Sequence, residues 1–212
     1  MRTALSIFVL VGTTIAAQAT ILADNITTSS AYVAGSGIGS TGSSTLRKAV
    51  GLTIGSTPYE FSSMEVMMGY SQNLVNGDSV SGGIFSNDGS SNPGSLLMPF
   101  VSKVVTTATQ TPVLTSLTPV SQITLQANTT YWFVVSGPTT ATDLNWYRPN
   151  PALAPTLGGG ATSAGWRFEN SGPWGTSGTF NAVRINGQAV PEPATMLVLG
   201  ASLVGIARRR RK

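Results

Sequence analysis

The chain has no cysteine and no histidine among its 212 residues, and only 9% of them are charged. Without cysteine there is no disulfide framework, so burial must hold the fold. A domain of about 170 residues can bury enough surface to do that. Without histidine the commonest general base and metal ligand are gone. Ser-His-Asp and Cys-His machinery go with them. Zinc, copper and haem find no ligand set, so no cofactor and no metal is expected. Sustained helical periodicity is also missing between residues 20 and 189.

The net charge of +4 misleads. Between residues 20 and 189 there are six cations (Arg47, Lys48, Lys103, Arg148, Arg167, Arg184). They meet seven anions (Asp24, Glu60, Glu65, Asp78, Asp88, Asp143, Glu169), a balance of −1. The excess sits in Arg2 and in Arg208, Arg209, Arg210, Arg211 and Lys212. A nucleic-acid surface needs a basic patch, and this stretch has none.

What is present at the two ends is patterned. Arg2, the apolar stretch Ala4 to Ala17 and the small-residue pair Ala17 and Ala19 read as a secretory signal peptide over residues 1–19. The mature chain is then expected to start at Thr20. At the other end, Pro191 and Pro193 flank Glu192 and bias the chain towards an extended form. The uncharged run Ala194 to Ala207 follows, about 21 Å long as a helix. That is short of the ~20 residues of an ordinary transmembrane span. Five cations then close the segment and are expected to stay on the cytoplasmic side. This predicts a short transmembrane helix, with everything before Pro191 outside the membrane.

These three parts, in this order over residues 190–212, resemble the PEP-CTERM sorting signal of Gram-negative bacteria, with Pro191, Glu192 and Pro193 as its motif. The resemblance implies an exosortase as partner, cleavage near the motif, and transfer to an anchor or release at the surface. Such proteins often accompany exopolysaccharide or biofilm functions.

Residues 20–189 read as one all-β domain. Residues 35 to 44 are a flexible loop by composition. Leu46 to Ile54 is a strand with Leu46, Val50, Leu52 and Ile54 on one parity. Tyr59 to Tyr70 is the longest strand. Its apolar parity switches near Ser62 and Ser63, which predicts a β-bulge. Asn76-Gly77-Asp78 is a hairpin signal that would pair this strand with Val80 to Phe85. Asn87 to Gly94 is a turn. Pro99 within Leu96 to Val105 argues for an edge or a bulge. In Ser121 to Gln126, Ile123 and Leu125 point inward. Tyr131 to Val135 is an unbroken apolar run, the mark of a central strand buried on both faces. Pro149 to Gly160 is a surface loop, Trp166 to Glu169 and Phe180 to Ile185 close the sheet, and Asn186-Gly187 turns the chain outward. Many short strands over this length predict a two-sheet, jelly-roll-like β-sandwich. The segment Ile123 to Val135 resembles the choice-of-anchor extracellular domains that precede such sorting tails.

The domain offers residues for three chemistries. A glycosidase needs two carboxylates about 5 to 9.5 Å apart, and a pair such as Glu65 and Glu169 is the candidate. Asp78, Asn87 and Asp88 offer oxygens for calcium, but turn chemistry alone accounts for them. Trp146, Tyr147 and Trp174 with Asp143 and Arg148 could stack and hydrogen-bond a sugar. Alternatively these rings cap the core, the commoner fate of tryptophan. The sequons at Asn25 and Asn128 read as chance matches. The expectation is an exported surface or matrix protein, not an enzyme, with a structural or interaction role beside exopolysaccharide. The alternatives are a carbohydrate-binding module and, third, a glycan-active hydrolase.

Overall fold

The computed structural model describes residues 19–27, 31–41, 44–70, 77–108, 110–139 and 143–191. Residues 1–18, Glu192, Pro193 and 194–212 lie outside them. The predicted signal peptide up to Gln18 and the predicted membrane helix therefore lie outside the described residues. Within these residues there are strands and no helix. The early strands are β1 (Ala19–Asp24), β2 (Ala31–Gly37), β3 (Gly39–Thr41), β4 (Ser44–Thr53) and β5 (Tyr59–Tyr70). Then come β6 (Ser79–Asn87), β7 (Pro93–Pro99), β8 (Lys103–Val104), β9 (Val113–Leu117), β10 (Thr124–Leu125) and β11 (Thr130–Ser136). The last are β12 (Leu144–Asn150), β13 (Thr156–Leu157), β14 (Thr162–Asn170), β15 (Gly175–Thr176) and β16 (Val183–Ala189).

They form two antiparallel sheets. The first runs β13-β1-β16-β5-β12-β2, with β9 and β10 also on β5. The second runs β15-β14-β4-β11-β6-β7, with β3 on β4 and β8 on β6. One apolar core joins them in a sandwich-like arrangement. Phe61 of the first sheet lies 5.5 Å from Phe133 of the second, and Trp146 lies 5.5 Å from Trp166 across the same gap. Such aromatic pairs add to the burial that drives the packing.

The strand β11 behaves as its apolar run predicts. It pairs with β4 and β6, and Tyr131 to Val135 are all buried. Tyr131, Phe133 and Val135 enter the main core, while Trp132 and Val134 join Ala49 in a smaller cluster on the outer face. The expected bulge is also present. Ser63 pairs with Asn186 and Phe61 with Gly187, so Ser62 is the extra residue. It brings Tyr59, Phe61, Met64, Val66, Met68 and Tyr70 all onto the buried face. Pro99 ends β7, an edge strand whose register against β6 is irregular.

Three local expectations are corrected. Residues 35–37 and 39–41 are strand rather than flexible loop: β2 pairs with β12 and β3 with β4. Ile38, 1% exposed, pins the crossing between sheets, and its N–H donates to Leu144 O. Gly35 permits the approach, because a Cβ there would lie 2.5 Å from Trp146 O. The Asn76-Gly77-Asp78 signal does not make a β5–β6 hairpin, since those strands belong to different sheets. Tyr70 Oη instead accepts from Gly77 N and Asp78 N and donates to Val105 O at 2.8 Å. Asn186-Gly187 is no turn. It lies inside β16, paired to β1 and β5, and the chain leaves after Ala189.

Candidate functional site

The sequence-predicted glycan residues are not brought together on a surface. Trp146 is 0% and Tyr147 2% exposed. Trp146 Nε1 donates to Ala182 O at 2.8 Å, and Tyr147 Oη donates to Tyr70 O at 2.9 Å. Both strand faces are covered here, so neither ring can stack on a ligand. Asp143 is buried too, and Arg148 is half-buried. Trp174 lies on the other sheet, half-buried against the outer cluster of Trp132, with the Arg47 guanidinium 5.3 Å from its ring centre. These are core-capping rings, and their candidacy as one exposed site is corrected.

The carboxylates are engaged or far apart. Arg184 pairs with Asp24 at 3.0 Å and Glu65 at 3.2 Å, and Arg47 pairs with Glu169. Glu65 and Glu169 belong to different sheets, with the core between them. The bulge sets Glu60 and Glu65 on one face. Their partners Gln188 and Arg184 are four positions apart, roughly 13 Å along a strand. That exceeds the span of about 9.5 Å over which two carboxylates flank one glycosidic bond. Of the candidate calcium oxygens, those of Asp88 serve a turn and that of Asn87 holds a core ring. Asp88 accepts from Asn92 N at 3.0 Å and Ser90 N at 2.7 Å, which hold its carboxyl below its ordinary pKa. Asn87 Oδ1 accepts from Trp132 Nε1 at 3.0 Å. The sequon residue Asn25 is 2% exposed and fully used: it donates to Leu153 O and Asn181 O and accepts from Val183 N.

One feature escaped the sequence reading. Lys48 is only 2% exposed. It shares the inward parity of Val50 and Leu52, at the point where the core reaches the end of the sandwich. Its Nζ donates to Ser36 Oγ at 2.8 Å, crossing from the second sheet to the first. Ser36 Oγ in turn donates to Asn181 Oδ1 at 3.3 Å. The ammonium also lies 5.6 Å from the centre of the Trp166 ring. Among the described residues no carboxylate is within ion-pair distance of it. Burial therefore lowers its pKa from 10.5 to about 7. Beside it opens a cleft of about 400 Å³, whose lining includes Ser36, Leu46, Lys48, Phe168 and Thr179. Phe168 pairs with Lys48 across β14 and β4, and its ring is 46% exposed. The signal available in sequence was the parity itself: Lys48 interrupts the row Leu46, Val50, Leu52, Ile54.

The two ends of the domain lie side by side. Ala19 pairs with Gln188 and Thr20 with Gly187. Val190 N still bonds Pro58 O at 3.0 Å, and Pro191 is exposed directly after it. A family model for the PEP-CTERM protein-sorting motif matches residues 189–212. The chain carries a PEP-CTERM sorting signal. That signal implies processing by an exosortase and an exported protein with a C-terminal membrane-anchoring segment. It begins at the last residue of β16, so the folded domain abuts the PEP-CTERM motif without a linker. A comparison with curated proteins finds no match.

Proposed function

We propose that this chain is an exported β-domain delivered through its PEP-CTERM signal to the cell surface or matrix. There it takes a non-enzymatic structural or interaction role beside extracellular polysaccharide. The observation that carries the reading is the matched motif at residues 189–212, joined directly to a folded, nearly neutral domain. Residues 1–19 act as the signal peptide, and Ala194 to Ala207 with Arg208 to Lys212 hold the precursor in the membrane until cleavage near Pro191. The domain is of jelly-roll-like, choice-of-anchor type.

The test is C-terminal mass spectrometry of the protein recovered from exosortase-positive cells. Wild type should end near Pro191. Glu192→Ala and a deletion of residues 208–212 should each accumulate intact precursor. Normal maturation of both variants would reject the reading.

A further inference from the structure

The cleft beside Lys48 lies at the pole away from both sorting segments. Ala189 pairs with Tyr59 at one end of β5, while Trp146, the neighbour of Ser36, pairs with Met68 at the other. The intervening strand spans roughly 26 Å at about 3.3 Å per residue. The cleft thus lies at the end of the domain remote from Pro191.

A lone amine at a core position is costly unless something compensates it. Ser36 supplies one hydrogen bond and Trp166 a ring face, but no anion is in reach among the described residues. The other charges on the cleft wall, Arg47 and Glu169, neutralise each other. The site therefore holds one amine that no described carboxylate neutralises, and it carries a single positive charge when protonated. It matches a monoanion such as a carboxylate better than a phosphate dianion. The rest of the wall is chemically specific. Hydroxyls of Ser36, Thr176, Ser177 and Thr179 offer hydrogen bonds, and the exposed Phe168 ring offers an apolar platform. A carboxylate, several hydroxyls and one apolar face are together the description of a uronic acid residue.

We propose that this cleft binds a uronic acid residue of an acidic extracellular polysaccharide, with Lys48 as the partner of its carboxylate. The proposal rests on the interaction role given above and names its ligand class. Binding returns to the amine the charge that burial removes, so above pH 7 it takes up a proton. Among the described residues the other ionisable side chains of the wall are Arg47 and Glu169, and they are paired with each other.

Calorimetry of the full chain in detergent tests this, with trigalacturonate, maltotriose and acetate as probes. Trigalacturonate should bind, and about ten-fold more weakly at pH 8.5 than at pH 6.5. Lys48→Met should lose at least ten-fold in affinity and all of the pH dependence. Phe168→Ala changes only an exposed ring and should lose a few-fold with the fold intact. Maltotriose should not bind at the same concentrations. Maltotriose binding equal to trigalacturonate, or an unaffected Lys48→Met, would overturn the carboxylate assignment while leaving a polysaccharide role standing. Acetate binding as tightly as trigalacturonate would reduce the cleft to a general anion site and also overturn it. If no probe binds, the cleft proposal falls, while the processing experiment judges delivery separately.

Discussion

The two faces of the second sheet solve the same problem in opposite ways. Each must cover apolar surface with a cation close by. On the outer face the cations are guanidinium groups laid over rings: Arg167 over Trp132 at 5.2 Å and Arg47 over Trp174 at 5.3 Å. Arg47 keeps Glu169 as partner, and Arg167 Nε donates to Asn92 Oδ1 at 2.9 Å. Their apolar stems cover the rings while their heads keep polar contacts. On the inner face the packing is apolar against the first sheet, and its one cation, Lys48, has a single hydroxyl and a ring. Neighbours in sequence, Arg47 and Lys48 differ because strand alternation sends one to each face. A charge that is ordinary on one side becomes a poised group on the other.

The largest way to test this contrast is Phe133→Ala, which empties an inner site that touches Phe61 across the sheets. We expect a loss of about 4 kcal/mol in denaturant unfolding. A loss near 1 kcal/mol would mean the sheets are not held together by this packing. Next is the pH dependence of stability. Burial depresses Lys48 in the folded state, so between about pH 7 and pH 10 the unfolded chain binds the extra proton. Its contribution to stability is lowest below pH 7 and rises with pH, by about 1.4 kcal/mol per unit inside that window. Lys48→Met should abolish the slope and raise stability near neutral pH, as replacing buried ionic groups by apolar ones often does. An unchanged slope between pH 7 and 9 would show that the amine is not desolvated. The smallest effect is expected on the outer face. Trp174→Ala should cost about 1 kcal/mol, since its ring is half-buried and held by one cation–ring contact. A cost near that of Phe133→Ala would make the outer cluster a second core.

What could be read in the sequence was local and periodic. Five consecutive apolar residues in β11 declared burial on both faces, and the parity switch in β5 declared the bulge at Ser62. The three-part tail was legible because its parts adjoin in sequence. Pairing between sheets was not legible. Asn76-Gly77-Asp78 signals a turn in sequence, but β5 and β6 belong to different sheets, and Tyr70 Oη ties Gly77 N to Val105 O. Gly187 reads as a turn residue, yet it serves a bulge where a Cβ would lie 3.2 Å from both Leu22 and Tyr59. Trp146 and Tyr147 border a polar stretch, which leaves their exposure open in the sequence alone. Their strand is covered on both sides by residues far away in sequence. Lys48 was countable as a charge, but its place in an inward row mattered more than its sign.

The strand that hands the chain to its sorting motif has a mechanical consequence. β16 lies between β1 and β5 and is bonded to both along most of its length. A pull on Pro191 along the strand axis would load two ladders in shear, with many hydrogen bonds resisting together. It would not open them one at a time like a zipper. A domain held at that end and gripped at the far pole would transmit tension through its best-supported strand.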